Sequence, residues 1–397
     1  MKRLIFFDKS LVYIFLFVFF SILCLVLDEP KESVFLILST SILLIIIKDK
    51  EKIIKGKSIY HLIFVLILSY FISVILISTR GYSMNLSTSR NNKDSEGKAV
   101  LLVYEGEPRM YSFDKSMTNI NKIGAFFSRL FSPFILFENK MYYQKLGKSD
   151  YREDTIEVGE ELQTFLSEGF KVYVSYLYDT VYVEEALISI ANDGYSDVII
   201  APVFLTDGFN LSILKSRVEK MKLYNLNINV KYIDPLWNSE SIVDSYANIL
   251  EQQINKYDNG NIGIILVGEG QIGYRKDENL KAAREDSMFR NRIRTKLIEN
   301  LSLNEHKIKT GWFKYLKPDY KDTLRDLLDY SIGEIIIIYT KPSVTDIENT
   351  IIYRKVASMN QIPEGIKVTI IDGFLNDLLF INELKNRIEF TNLQKWE

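Results

Sequence analysis

The chain has few of the residues that usually carry metal and nucleophilic chemistry. Among its 397 residues there is one cysteine, Cys24, and it lies inside an apolar run. Disulfides, cysteine zinc sites and cysteine nucleophiles are therefore excluded from the rest of the chain. There are two histidines. His61 falls in an apolar run and His306 in the polar stretch LNEHKIK, so a histidine pair for metal binding or proton transfer cannot be built. Net charge is only −2, but residues 1–98 are net basic and the remainder is net acidic. The larger C-terminal part thus lacks the excess of Lys and Arg that a phosphate backbone attracts, which argues against nucleic acid as a partner.

Apolar sequence, by contrast, is abundant near the start. Three runs stand out: Leu11–Leu27, Val34–Ile47 and Ile59–Ser78. A membrane span needs about 20 apolar residues, with about 17 as the lower bound. The first and third runs meet that length; the second is shorter and reads as tilted, shallow or re-entrant. A cleaved signal peptide fits poorly, because the runs recur and no small-residue cleavage site follows the first. Residues 1–80 are expected to be a multi-pass transmembrane region of about three helices in the cell membrane. Lys2, Arg3 and Lys9 precede the first run, DEPKE after it is net acidic, and KDKEKIIKGK after the second is basic. With positive charge inside, three spans place the C-terminal part on the extracytoplasmic side; if the second run does not cross, the side flips. Residues 81–98 form a linker, in which NLSTSRNNKDSEGK reads as a flexible tether.

Beyond the tether, strand-like and helix-like segments alternate. Strands are expected at 99–106, 171–178, 197–205 and 227–234, and a second set at 262–269, 307–313, 334–340 and 367–372. Most are short, β-branched and continuously apolar, as strands buried on both faces should be. Amphipathic helices fall between them, with Ala186, Leu187 and Ile190 on one face of one helix and Leu324, Leu327 and Leu328 on one face of another. The fold class expected is α/β, with two Rossmann-like lobes of parallel sheet, 99–240 and 241–397, after the transmembrane segment. Such sheets bind ligands at the carboxyl ends of their strands.

Polar residues collect at those ends. Tyr178 and Asp179 follow one strand, and Thr206 and Asp207 another. Gly268, Glu269 and Gly270 follow a third, and Lys341, Pro342, Thr345, Asp346 and Glu348 a fourth. Converging carboxylates can bind a hard cation or act as bases. Asp and Glu also favour helix N-termini for local reasons of capping. Glu269 resists that explanation, because it sits between two glycines directly after an apolar strand. The stretch GEGQIG (268–273) also spells a dinucleotide fingerprint, Gly-x-Gly-x-x-Gly. It lacks the context: the next helix starts around Glu278–Leu280, and the acids about 20 residues on, Glu285 and Asp286, fall inside that helix.

Residues 99–397 resemble the ferrochelatases and related class II tetrapyrrole chelatases. AVLLVYEGEPRMY resembles their opening VLLxNLGTP, and VSYLYDTVYVEEAL is similar to xMRYxxPxxEEAL. DVIIAPVFLTDG resembles xIVxLPLYPQYS, SVTDIENT resembles FVSDHxET, and DGFLNDLLFINEL resembles xxLNDxPxFIxxL. On this resemblance LVGEGQI falls on the family's SAHGLP, so Glu269 stands where the metal-binding or proton-accepting histidine belongs. The family's second catalytic glutamate falls on Asn349, its neighbouring histidine on Ile347 and its arginine on Leu177, with Glu348 one place off. FFSRLFSPFILF (126–137) falls on a mobile lip, which either dips into a bilayer or simply packs.

The resemblance implies a cleft formed by Gly268, Gly270, Tyr178, Thr206, Asp207, Asp346, Glu348 and Asn349. Glu269 is the candidate for catalysis, and Glu269 with Asp346 the candidates for metal binding. Iron, haem or a porphyrin are the implied ligands. Three readings follow: a membrane-anchored relative that handles a tetrapyrrole, haem or iron without standard ferrochelatase catalysis; an active chelatase with a rewired acidic site; and a structural protein that keeps only the fold.

Overall fold

The computed structural model describes residues 9–48, 59–88, 95–123, 126–256, 261–270, 277–301, 303–330, 332–344, 346–351 and 362–396. They fall into two compact units: Met1–Ser83 with Pro108–Lys148, and Met84–Glu107 with Ser149–Glu397.

In the first unit the three apolar runs become helices α1 (Lys9–Val26), α2 (Lys31–Lys48) and α3 (Ile59–Ser78). Among the described residues only α3 is long and apolar enough to cross a membrane; Leu11–Val26 of α1 is apolar but shorter. The outward faces of α2 and α3 are nonetheless apolar, with Ile37, Leu44, Ile63, Phe64 and Ile75 exposed. The same unit contains α4 (Phe113–Ile123), α5 (Phe126–Leu130) and α6 (Ser132–Leu146). The stretch 108–148, assigned from sequence to the first lobe, thus forms a compact unit with the N-terminal helices instead. Its packing explains why. Phe113, Met117, Ile120 and Leu136 share a core with Leu23, Val26, Leu27 and Ile77. The buried ammonium of Lys140 donates to the Leu27 carbonyl at 2.8 Å and pairs with Glu32 at 2.9 Å. A cation is favoured there because the last carbonyls of α1 have no helical partner. Tyr70 of α3 donates to the Leu130 carbonyl at 2.6 Å.

The second unit holds all eight expected strands. β1 (Lys98–Tyr104), β2 (Phe170–Tyr176), β3 (Asp197–Pro202) and β4 (Asn229–Tyr232) form one sheet in the order β2-β1-β3-β4. β5 (Ile262–Gly268), β6 (Ile308–Trp312), β7 (Glu334–Tyr339) and β8 (Lys367–Ile371) form another in the order β6-β5-β7-β8. Every pairing is parallel. The helices are α7 (Tyr151–Phe165), α8 (Val183–Asn192), α9 (Phe209–Lys220), α10 (Glu240–Ile254), α11 (Asp277–Leu301), α12 (Tyr320–Leu328) and α13 (Leu378–Leu393). Local chemistry sets their starts: Asp319 accepts from the Lys321 and Asp322 amides ahead of α12, and Asp377 from the Phe380 amide ahead of α13.

Alternation along the strands divides the core. Val100 and Leu102 of β1 join Ile264 and Leu266 of β5 in one cluster, together with Val243, Tyr246 and Leu250 of α10 and Phe289 and Ile293 of α11. Their neighbours face the opposite way. Ala99, Leu101 and Val103 meet Leu187 of α8 and Leu214 of α9; Ile265 and Val267 meet Leu324 and Leu327 of α12. The period of two thus gives each sheet one private face and one face in a shared layer. Each fully buried aliphatic side chain contributes about 1.5–3 kcal/mol.

Candidate functional site

Both sheets reverse their strand order beside their first strand. β2 and β3 flank β1, and β6 and β7 flank β5. The crevice of such a sheet lies outside the carboxyl ends at that reversal. Residues from both reversals line one narrow cleft of about 50 Å³ that opens to solvent. Phe204, Leu205, Trp312 and Leu316 are its apolar lining; Glu105, Asn210, Glu269 and Lys341 are its polar side.

Register puts the two strand ends in correspondence. Val103 lies beside Ser175 and Pro202, and Val267 beside Gly311 and Tyr339. Just beyond, the Val203 amide donates to the Val103 carbonyl and the Thr340 amide to the Val267 carbonyl, each at 2.9 Å. The Tyr178 amide donates to the Glu105 carbonyl at 2.8 Å, as the Lys314 amide does to the Glu269 carbonyl at 3.0 Å. Glu105 and Glu269 are therefore the same residue in two lobes. Each is followed by a glycine with positive φ, 79° at Gly106 and 77° at Gly270. A Cβ would lie 2.4 Å from Tyr176 Cβ at the first and 1.9 Å from the Lys314 carbonyl oxygen at the second, so both turns require glycine.

The two acids meet at Lys341, which is buried and lies one residue beyond Thr340 at the end of β7. Its Nζ is 2.6 Å from Glu105 Oε2 and 3.6 Å from Glu269 Oε2. Asn210 Nδ2 donates to Glu105 Oε1 at 2.7 Å, and the Tyr178 hydroxyl donates to Asn210 Oδ1 at 2.9 Å. A polar chain thus runs Tyr178–Asn210–Glu105–Lys341–Glu269. Burial works against the Lys341 charge, but Glu105 and Glu269 outweigh it and hold the ammonium well above the ordinary lysine range. Burial pushes the Glu269 carboxyl up to about 7; Lys341 opposes this, while Glu105 and Asp346 add to it. The Glu269 side chain remains 36% exposed at the cleft surface, so it is enclosed by protein yet reachable.

The other residues singled out from sequence divide. Thr206, Glu269 and Gly270 line the cleft, and Tyr178 joins it through Asn210. Gly268 lies in β5, where the Asp286 carboxylate occupies the space a Cβ would need. Asp207 is held by Lys281 at 2.6 Å. Asp346 accepts from the amide N–H and side-chain Nδ2 of Asn349 at 2.7 and 2.8 Å, which is the local capping role open to any Asp before a helical turn. Asn349 is 0% exposed and its Oδ1 has no hydrogen-bond partner among the described residues. Glu348 pairs with Lys314 at 2.8 Å. Thr345 and the GEGQIG residues after Gly270 lie outside the described residues. Among the described residues no three His, Cys, Asp or Glu side chains converge to hold a metal. Sequence reasoning passed over Glu105 and Asn210, and noted Lys341 without assigning it a role. A signal existed: VYEGE (103–107) and VGEGQ (267–271) repeat one pattern at the end of the first strand of each lobe.

Residues 148–253 match the CbiX family. The ferrochelatase of Aquifex aeolicus is 23% identical over 219 residues, covering 51% of this chain and 66% of the relative. These matches support the class II chelatase family for this chain. Among solved structures, SirB from Bacillus subtilis with Fe3+ superposes with a TM-score of 0.52 at 13% identity, covering 75% of this chain and 96% of SirB; this likeness shows the fold. In this chelatase relative, the strand end that the resemblance gives to a histidine carries an acid paired with an ammonium.

Proposed function

We propose that this protein is a membrane-anchored chelatase relative whose cleft receives a tetrapyrrole without the family's usual metal insertion. One observation carries the reading: the two positions expected to supply an acid–base pair do not present one. Glu269 faces the Lys341 ammonium, and Asn349 is buried against Asp346. A positioned acid–base group contributes about 10²–10⁴-fold to a rate, so losing both positions removes most of the catalysis. The aromatic and aliphatic wall of Phe204, Leu205, Trp312 and Leu316 suits the flat apolar face of a macrocycle. Membrane anchoring is supported by α3, by the exposed apolar faces of α2 and α3, and by exposed Phe126, Phe127 and Phe134 beside them in the same unit. The lysine and arginine pattern favours the extracytoplasmic side for the α/β unit.

The full chain in detergent, titrated with protoporphyrin, coproporphyrin and haem, is expected to shift the Soret band saturably for at least one of them. Ferrous iron added anaerobically to the porphyrin complex is expected to leave it unmetallated. No Soret change with any tetrapyrrole would remove the reading. A second reading, a rewired chelatase, is favoured by the Glu269 carboxyl near 7, close to the working range of a general base. Metal insertion that disappears in Glu269→Gln would establish it instead.

A further inference from the structure

The repeat places one acid at the same strand end in each lobe, and both acids engage one nitrogen from the second lobe alone. At the position of Lys341 the first lobe carries Phe204, the residue after Val203. The cation is therefore not part of the repeated scaffold. It is an addition by one lobe to a pair of acids that both lobes supply. Small divalent cations are commonly held by one or two carboxylates with water completing the shell. Glu105 and Glu269 would make such a pair if the nitrogen between them were absent.

We infer that Lys341 is a tethered cation standing between Glu105 and Glu269 in place of a free metal ion, which makes it a specificity-determining residue that bars divalent cations from the cleft floor. The nitrogen lies at 2.6 and 3.6 Å from the two carboxylates, and its side chain is buried. An incoming cation would have to displace an ammonium already bound, and would meet its charge at a few ångströms in a site only partly screened by water. Two consequences follow. The floor has one of its two carboxylate charges offset without an ion. If the cleft takes a tetrapyrrole, a clause that rests on the function proposed above, it takes the macrocycle whole and does not first capture a metal.

The test uses Mn2+ alone, with no tetrapyrrole, so its outcome is independent of whether a macrocycle binds. The full chain in detergent is titrated with Mn2+ and bound ion is read by electron paramagnetic resonance. Wild type and Glu269→Gln are expected to give the same isotherm. Lys341→Met is expected to gain one site, tightened about tenfold or more by loss of one like charge. Lys341→Arg, which keeps the charge, gains none, and the double variant Lys341→Met/Glu269→Gln loses the gained site. A wild-type Mn2+ site that vanishes in Glu269→Gln would overturn the inference, and this comparison needs no variant at Lys341. A folded Lys341→Met that gains no site would overturn it too, by reducing Lys341 to a structural ion pair. Mn2+ gain in a protein that binds no tetrapyrrole would uphold the inference while removing the proposed function.

Discussion

The two lobes share a strand order, a hydrogen-bond register and an acid–glycine pair at the end of the first strand, yet they use that shared frame differently. In the first lobe Glu105 is tied down by Asn210, and through it by Tyr178. In the second lobe Glu269 has no such neighbour among the described residues and remains partly open, with Lys341 at 3.6 Å. The backbone repeats because parallel strands and their crossovers leave little freedom at a strand-order reversal. The side chains do not repeat, since nothing in the backbone pattern chooses between phenylalanine and lysine one residue beyond Val203 or Thr340. Fold and site therefore live on different links of the chain from sequence to function.

The frame itself can be broken at two buried arginines, one per lobe. Arg290 donates to the Gly311 carbonyl of β6 at 2.6 Å and to Asp286 Oδ1 at 2.5 Å, and lies over the Trp312 ring. Arg217 does the matching work in the first lobe, donating to the Leu177 carbonyl beyond β2 at 2.6 Å and pairing with Glu184. Arg290 is the more deeply enclosed, with 1% of its side chain exposed against 9% for Arg217. Arg290→Ala leaves the Asp286 carboxylate buried without its partner and is expected to cost about 3–5 kcal/mol. Arg217→Ala is expected to cost less, about 1.5–3 kcal/mol, because Glu184 keeps more access to water. Chemical denaturation of both variants measures the difference, and equal losses would show that the two lobes are pinned alike.

The paired glycines give a smaller and more local contrast. Alanine at either position must adopt a left-handed backbone, at about 1–2 kcal/mol, and must also be accommodated sterically. At Gly270 the obstacle is a backbone carbonyl; at Gly106 it is the Tyr176 side chain. Gly270→Ala is expected to cost about 3 kcal/mol and Gly106→Ala about 2 kcal/mol. The reverse order in thermal melts would mean that the loop after β5 yields more easily than the tyrosine.

Most of the α/β frame was legible because buried parallel strands announce themselves. EIIIIY and IGIILV leave no polar face to assign, and alternation with amphipathic helices leaves few topologies. The site was only half legible. Glu269 could be found because a carboxylate between two glycines after an apolar strand has no local explanation. Asp346 and Glu348 looked similar, but a helix start and a lysine account for them. Glu105 was passed over because its stretch was read as a chain opening, and not against its counterpart in the second lobe. The placement of 108–148 was illegible for a different reason. Its partners, Leu23 and Ile77 among them, are far away in sequence, and apolar periodicity does not say which core a helix joins.

The least of the expected effects concerns the residue after each glycine, Glu107 in the first lobe and Gln271 in the sequence of the second. Glu107 accepts from the Ser149 hydroxyl and from the Ile347 amide, the latter at 3.0 Å. Burial, with Asp346 adding to it, pushes its carboxyl from 4.5 up to about 8, against the pull of those hydrogen bonds and of Lys341. The folded state then keeps a proton that the unfolded chain has released between about pH 4.5 and 8. In that window the folded state binds more protons, so stability falls as pH rises; below it and above it this group contributes no slope. Glu107→Gln writes the second lobe's residue into the first, removes the titration and keeps an acceptor oxygen for Ser149 or Ile347. Its stability is expected to match wild type near pH 4.5 and to exceed it near pH 8, with the gap opening steadily between. Parallel denaturation curves for the two proteins across that range would show that Glu107 stays ionised in the fold, and that the two lobes differ here in charge as well as in sequence.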